Sequence, residues 1–130
     1  MKGENYEIDL GGRWAVARVW RRPDLPSADG ARDASEMVRH LVALTSKISG
    51  LLFDLREAPA VAGPRTVDAM TQLLEAYERA SVRIAVVVAD DPLKALQFRR
   101  LVTTFAPTWG RLDVSLAEAE AWLSRPRKSP

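Results

Sequence analysis

The stretch Gly50–Met70, GLLFDLREAPAVAGPRTVDAM, decides the fold. It opens with LLFDL, a near-continuous apolar run too short for a helix. Such a run fits a strand covered on both faces, as in parallel sheets. It closes on Gly63-Pro64, with proline placed for a first helical position. Val67, Met70, Leu73, Leu74 and Tyr77 then recur at helical spacing. A buried strand handing over to an amphipathic helix is one βα unit of an α/β domain.

The same alternation continues on both sides. Downstream, VRIAVVVA (82–89) reads as a second buried strand. Asp91 and Pro92 supply an N-cap and a first-turn proline, Leu93, Leu96, Leu101 and Phe105 carry the next helix, and Pro107 stops it. RLDVS (111–115) is a short last strand. Ser115 and Glu118 fit a capping box, ahead of a helix carrying Leu116, Ala119, Trp122 and Leu123. Upstream, Tyr6, Ile8 and Leu10 alternate as a half-buried strand, and Gly11-Gly12 signals a hairpin into RWAVARVW (13–20). One face of that strand carries Trp14, Val16, Arg18 and Trp20. RRPDLPSADG (21–30) reads as a loop. A helix from about Asp29 to Lys47 is expected from Met37, Val38, Leu41, Val42 and Leu44. The order β-β-α-β-α-β-α-β-α predicts a five-stranded mixed, mostly parallel sheet with about four helices and right-handed crossovers.

Composition bounds the chemistry. The chain has 130 residues, 47% of them hydrophobic and 28% charged, as in one ordinary globular domain. Cysteine is absent and His40 is the only histidine, so disulfides, thiolate chemistry and zinc are not expected. No apolar run reaches the length of a membrane span, and MKGENYEIDLGG does not resemble a signal peptide. A cytoplasmic protein is the expectation. The formal net charge is +2, but Arg125, Arg127 and Lys128 crowd the last six residues. Without them 16 basic residues face 17 acidic ones over residues 1–124, a net of −1. A near-neutral body is not the footprint of a nucleic-acid binder. Residues 125–130 are expected to form a disordered basic tail behind a single domain spanning 1–124.

The element order, centred on LLFDL, REAPAVAG and PRTVDAM, resembles the STAS family, with its SpoIIAA-like anti-sigma-factor antagonist fold. RIAVVVAD, DDPLKALQFRRLV and AEAEAWL fit the same pattern, so the resemblance covers Tyr6 to Leu123. It implies a non-catalytic bacterial regulatory module that docks a protein partner, with a homodimer possible. Sec14-type lipid-binding domains share the topology and suggest an alternative, a carrier or sensor of a small apolar ligand. The family's phosphorylatable serine, usually within Asp-Ser-Ser-Gly, has no counterpart. Ala62, Gly63, Pro64 and Arg65 occupy that stretch, and Thr66 is the nearest hydroxyl.

Asp54 ends the apolar strand where α/β folds place ligands. It reads more simply as a structural acceptor for amides of the following loop. A third reading, an enzyme using Asp54, lacks a second acid or base at motif spacing. Arg56 and Glu57 begin an eight-residue loop reaching Gly63, longer than the roughly two to six residues common for such connections. Val61, its largest apolar member, is expected on an exposed interaction face. Gly63, Pro64, Arg65 and Thr66 form a helix start that reads more simply as a plain one than as an anion site built on free N–H groups, since Pro64 removes one donor. Asp90 and Asp91 suggest a cation site less well than a cap and a solvated acid. Trp20 with Arg21 and Arg22 reads as a strand-end aromatic with snorkelling arginines rather than a nucleic-acid platform. Arg99 and Arg100 belong to a solvated helix face. No cofactor is expected.

Overall fold

The strands lie across the sheet in the order in which they leave the chain: β1 (Tyr6–Asp9), β2 (Ala15–Trp20), β3 (Gly50–Glu57), β4 (Arg83–Val87) and β5 (Gly110–Asp113). A computed structural model describes residues 6–10, 12–20, 27–57 and 64–125, with backbone alone for 27–34 and 64–66. β1 runs antiparallel to β2, and the other three pairings are parallel. Parallel neighbours need crossovers. Here α1 (Ser27–Ala43), α2 (Pro64–Ala80) and α3 (Pro92–Phe105) supply them. Because the chain always steps the same way along the sheet, right-handed crossovers put all three helices on one face. α4 (Leu116–Ser124), which ends the described fold, covers the other face alone.

The period-two alternation of the strands sorts side chains between these unequal layers. Leu51, Phe53 and Leu55 of β3 and Ile84, Val86 and Val88 beside them join Leu41, Met70, Leu73, Leu74, Phe98 and Val102 in the main core. Leu52, Ala85 and Val87 point the other way, to Ala119, Leu116, Trp122 and Leu123 of α4. Both faces of β3 and β4 are therefore apolar, which is why their sequences lack polar alternation. Polar anchors fix the helices. The buried Tyr77 hydroxyl donates to the Leu41 carbonyl at 2.8 Å, joining α2 to α1. Arg83 donates from Nη1 to the carbonyls of Trp122, at 2.9 Å, and Arg125, at 2.6 Å, and so holds the end of α4.

The architecture matches the order read from the sequence, and four local expectations need correction. Strand β1 ends at Asp9, so Leu10 falls outside it and is exposed. The first helix starts at Ser27, inside the expected loop, and ends at Ala43, where a 3-10 turn, Leu44–Ser46, takes over. Strand β3 continues through Glu57, which pairs with Trp20. The connection to α2 therefore spans 58–63, an ordinary length. Arg56 and Glu57 are strand residues, and the extra loop length expected for this place does not exist. Finally, α3 follows the expected stripe only at its end, where Leu101 and Phe105 pack against the main core, and is rotated away from it at its start. Lys94, Phe98 and Val102 are buried, whereas Leu93 is 81% and Leu96 46% exposed.

Gly110 has no room for a side chain. A Cβ there would lie 2.7 Å from both the Cβ and the carbonyl oxygen of Ala106. This close approach lets the end of α3 turn directly into β5, with the Gly110 amide donating to Ala106 O at 2.9 Å. Glu78 of α2 secures the same turn, its Oε1 accepting from the amides of Thr108 and Trp109 at 3.0 and 2.8 Å.

Candidate functional site

Asp54 sits on the α4 side of β3, two residues after Leu52, and is only 7% exposed. Its partner is local. Arg56, the next residue on that face, donates from Nε to Oδ1 at 3.0 Å and from Nη2 to Oδ2 at 2.8 Å. The Arg56 amide adds a third bond to Oδ1 at 3.1 Å. Burial pushes the Asp54 carboxyl pKa up, but the Arg56 bonds and charge, with Arg18 nearby, outweigh it and hold the group below the ordinary carboxylate range. The sequence places the acceptor role of Asp54 correctly but assigns the donors to a loop. The donors belong instead to the continuing strand, which brings the Arg56 guanidinium onto the carboxylate.

A second pair mirrors the first. Asp113 of β5 is buried and accepts from Nε of Arg111 at 2.8 Å and from its Nη2 at 3.3 Å. Register places Arg18, Asp54, Val87 and Asp113 side by side across four strands. Each acid in this row has a guanidinium two residues away on its own strand. The signal was an acid and an arginine at i, i+2 within an apolar strand, which share a face.

The remaining expected residues divide. Glu57 is exposed at the strand end. Pro64 opens α2, and Arg65 and Thr66 lie within its first turn, where only the backbone is described. Val61 and Gly63 lie outside the described residues, as do Arg21, Arg22 and residues 126–130. Asp91 caps α3, accepting from the amides of Leu93 and Lys94 at 3.0 and 3.4 Å, and Asp90 is exposed. Among the described residues no cluster of His, Asp or Glu is arranged to hold a metal, and no helix is long and apolar enough to cross a membrane.

One residue the sequence reading passed over is Lys94. Its buried Nζ donates to the Leu55 carbonyl at 2.9 Å, so the first turn of α3 rests against the end of β3. Burial pushes the Lys94 amine down from its ordinary pKa, partly offset by Asp91. The exposed Leu93 and Leu96 flank this buried lysine, at the end of the sheet where β3 stops.

The other feature is a groove of about 280 Å3 between β2 and α4, lined by Gly12, Arg13, Trp14, Val16, Arg18, Leu52, Asp54, Leu116 and Glu120. It exists because one short helix cannot span five strands. α4 packs over β3, β4 and β5 and leaves β2 uncovered on this face.

No protein-family model matches the chain. No curated protein matches it in sequence. The solved structure "NMR Structure of the protein TM1081" has a similar fold, with a TM-score of 0.62 over 97% of this chain and 94% of that one. The two sequences are 11% identical, so the likeness is one of fold.

Proposed function

We propose that this protein is a non-catalytic regulatory or protein-interaction module of the STAS-like, SpoIIAA-like kind, acting in a bacterial cytoplasm without metal or cofactor. Its docking surface is the edge where β3 ends and α2 and α3 begin. The observation that carries this reading is the exposed pair Leu93 and Leu96, which stands out of that edge instead of entering the core. Large apolar side chains grouped at a surface are the usual anchor of a protein contact. Glu57, exposed at the end of β3, adds an acidic group to that edge.

Two features speak for binding over catalysis. Asp54 is held ionised by three donors, so it is a weak base and a hindered nucleophile. The sheet also has no reversal of strand order, and the crevice that α/β enzymes use lies at such a reversal. An enclosed carrier of an apolar ligand has less support. Phe53 is wholly buried in the main core and Phe105 packs against it, which leaves Trp14 alone beside open space.

The test is crosslinking inside the native cell from a photoreactive side chain at position 93, with position 99, on the exposed side of the same helix, as control. A discrete adduct from position 93, absent from 99 and abolished by Leu96→Asp, is the expected result. An adduct with a second copy of the chain would make this edge a homodimer face. No adduct from position 93 would remove the reading.

A further inference from the structure

We propose that the groove between β2 and α4 is a binding site for a small carboxylate with an apolar body. This is independent of the α3 edge, since the groove opens on the opposite face of the sheet. Its floor is apolar. Val16 and Leu52 are register partners on β2 and β3, and Trp14 and Leu116 stand at its sides. From Trp14 to Arg18 the floor runs four residues along a strand, about 13 Å at roughly 3.3 Å each. An extended chain or a flat ring system fits that shape.

The polar lining selects the other half of the ligand. Among the described residues no hydrogen bond reaches the guanidinium of Arg13, that of Arg18 or the indole N–H of Trp14, so the groove presents donors. On the acceptor side, Asp54 is already engaged by Arg56, and Glu120 of α4 is the remaining carboxylate. Glu120 lies one turn before Leu123, which reaches Gly50 at the start of β3. It therefore belongs to the Arg13 end of the groove, where the two charges offset each other. Leu116 opens α4 directly after β5, so the opposite end gathers Arg18, the Asp54–Arg56 pair and the α4 N-terminus. Glu7, the register partner of Arg18 on β1, is exposed. A ligand head at the Arg18 end must accept hydrogen bonds. Guanidinium groups match carboxylates in bidentate geometry.

Titration of the full chain with sodium octanoate, followed by the indole N–H resonance of Trp14, tests this. The resonance is assigned with Trp14→Phe. Saturable shifts at Trp14 are expected, with half-saturation at or below about 1 mM. 1-Octanol, with the same chain and no charge, and acetate, with the head alone, should each bind at least about tenfold more weakly. Arg18→Gln should weaken octanoate by about tenfold while leaving the melting temperature unchanged. Absence of saturation by 10 mM (on the order of the weakest meaningful affinity), octanol binding equal to octanoate, or an unaffected Arg18→Gln variant would each overturn the proposal.

Discussion

Asp54 and Arg56 stand on the same face of β3 and close a two-pronged ion pair, with the Arg56 amide as a third donor. The pair neutralises a carboxylate that the sheet buries. It also ties the last residues of β3 into a fixed geometry at the edge where α2 begins. Asp54→Ala leaves that amide and guanidinium without their acceptor. Arg56 is partly exposed and can turn to water, so the expected cost is at the low end of about 1–3 kcal/mol in denaturant unfolding.

Acid should act through the same pair. The folded-state pKa of Asp54 lies below its unfolded value, so its contribution is present above the unfolded pKa, near 4. It is lost as pH falls through the folded value. Stability measured between about pH 5 and pH 2 should therefore decline less steeply in Asp54→Asn than in the wild type. Identical acid limbs would count against a depressed Asp54.

Alkali should act through Tyr77. Burial raises its hydroxyl pKa above the ordinary value, so the folded state keeps a proton that the unfolded state gives up. Stability from this source is complete below about pH 10 and is lost as pH rises beyond it. Tyr77→Phe should flatten that limb. At neutral pH it should cost about 1 kcal/mol, through loss of the bond to Leu41 O.

Gly110→Ala should destabilise by roughly 1–3 kcal/mol, the usual range for overpacking. The new methyl would meet a backbone oxygen and the Cβ of Ala106 at 2.7 Å, and Cγ1 of Val102 at 3.0 Å. Backbone cannot swing aside as a side chain can. A neutral effect on the thermal midpoint would mean that the turn from α3 into β5 is looser than its geometry indicates.

The rotation of α3 has a direct check in paired substitutions. Leu96→Ser should change stability by no more than about 0.5 kcal/mol, as at other exposed positions. Phe98→Ala should cost about 3 kcal/mol or more, because Phe98 fills the main core. The reverse order would restore the stripe through Leu93 and Leu96.

Local pattern carried the element order, because run length and period are properties of the chain itself. The unbroken LLFDL and VRIAVVVA required strands covered on both sides. The stripe through Met70, Leu73, Leu74 and Tyr77 required a helix with one buried face. Asp91 and Ser115 announced their caps by position, and both accept the expected amide bonds. Some of the candidate site was legible too: an acid inside an apolar strand needs donors, and Asp54 has them. Their source was not legible, since only the pairing of Glu57 with Trp20 extends β3 far enough to make Arg56 a strand neighbour. The rotation of α3 was likewise decided in three dimensions. Leucine and lysine stem both bury well, and the sheet-edge carbonyl of Leu55 gives the Lys94 amine a partner that Leu93 does not need. The groove has no local signature at all. It arises because three crossovers of one hand fill one face of the sheet, while α4, a single helix of nine residues, is left to cover the other.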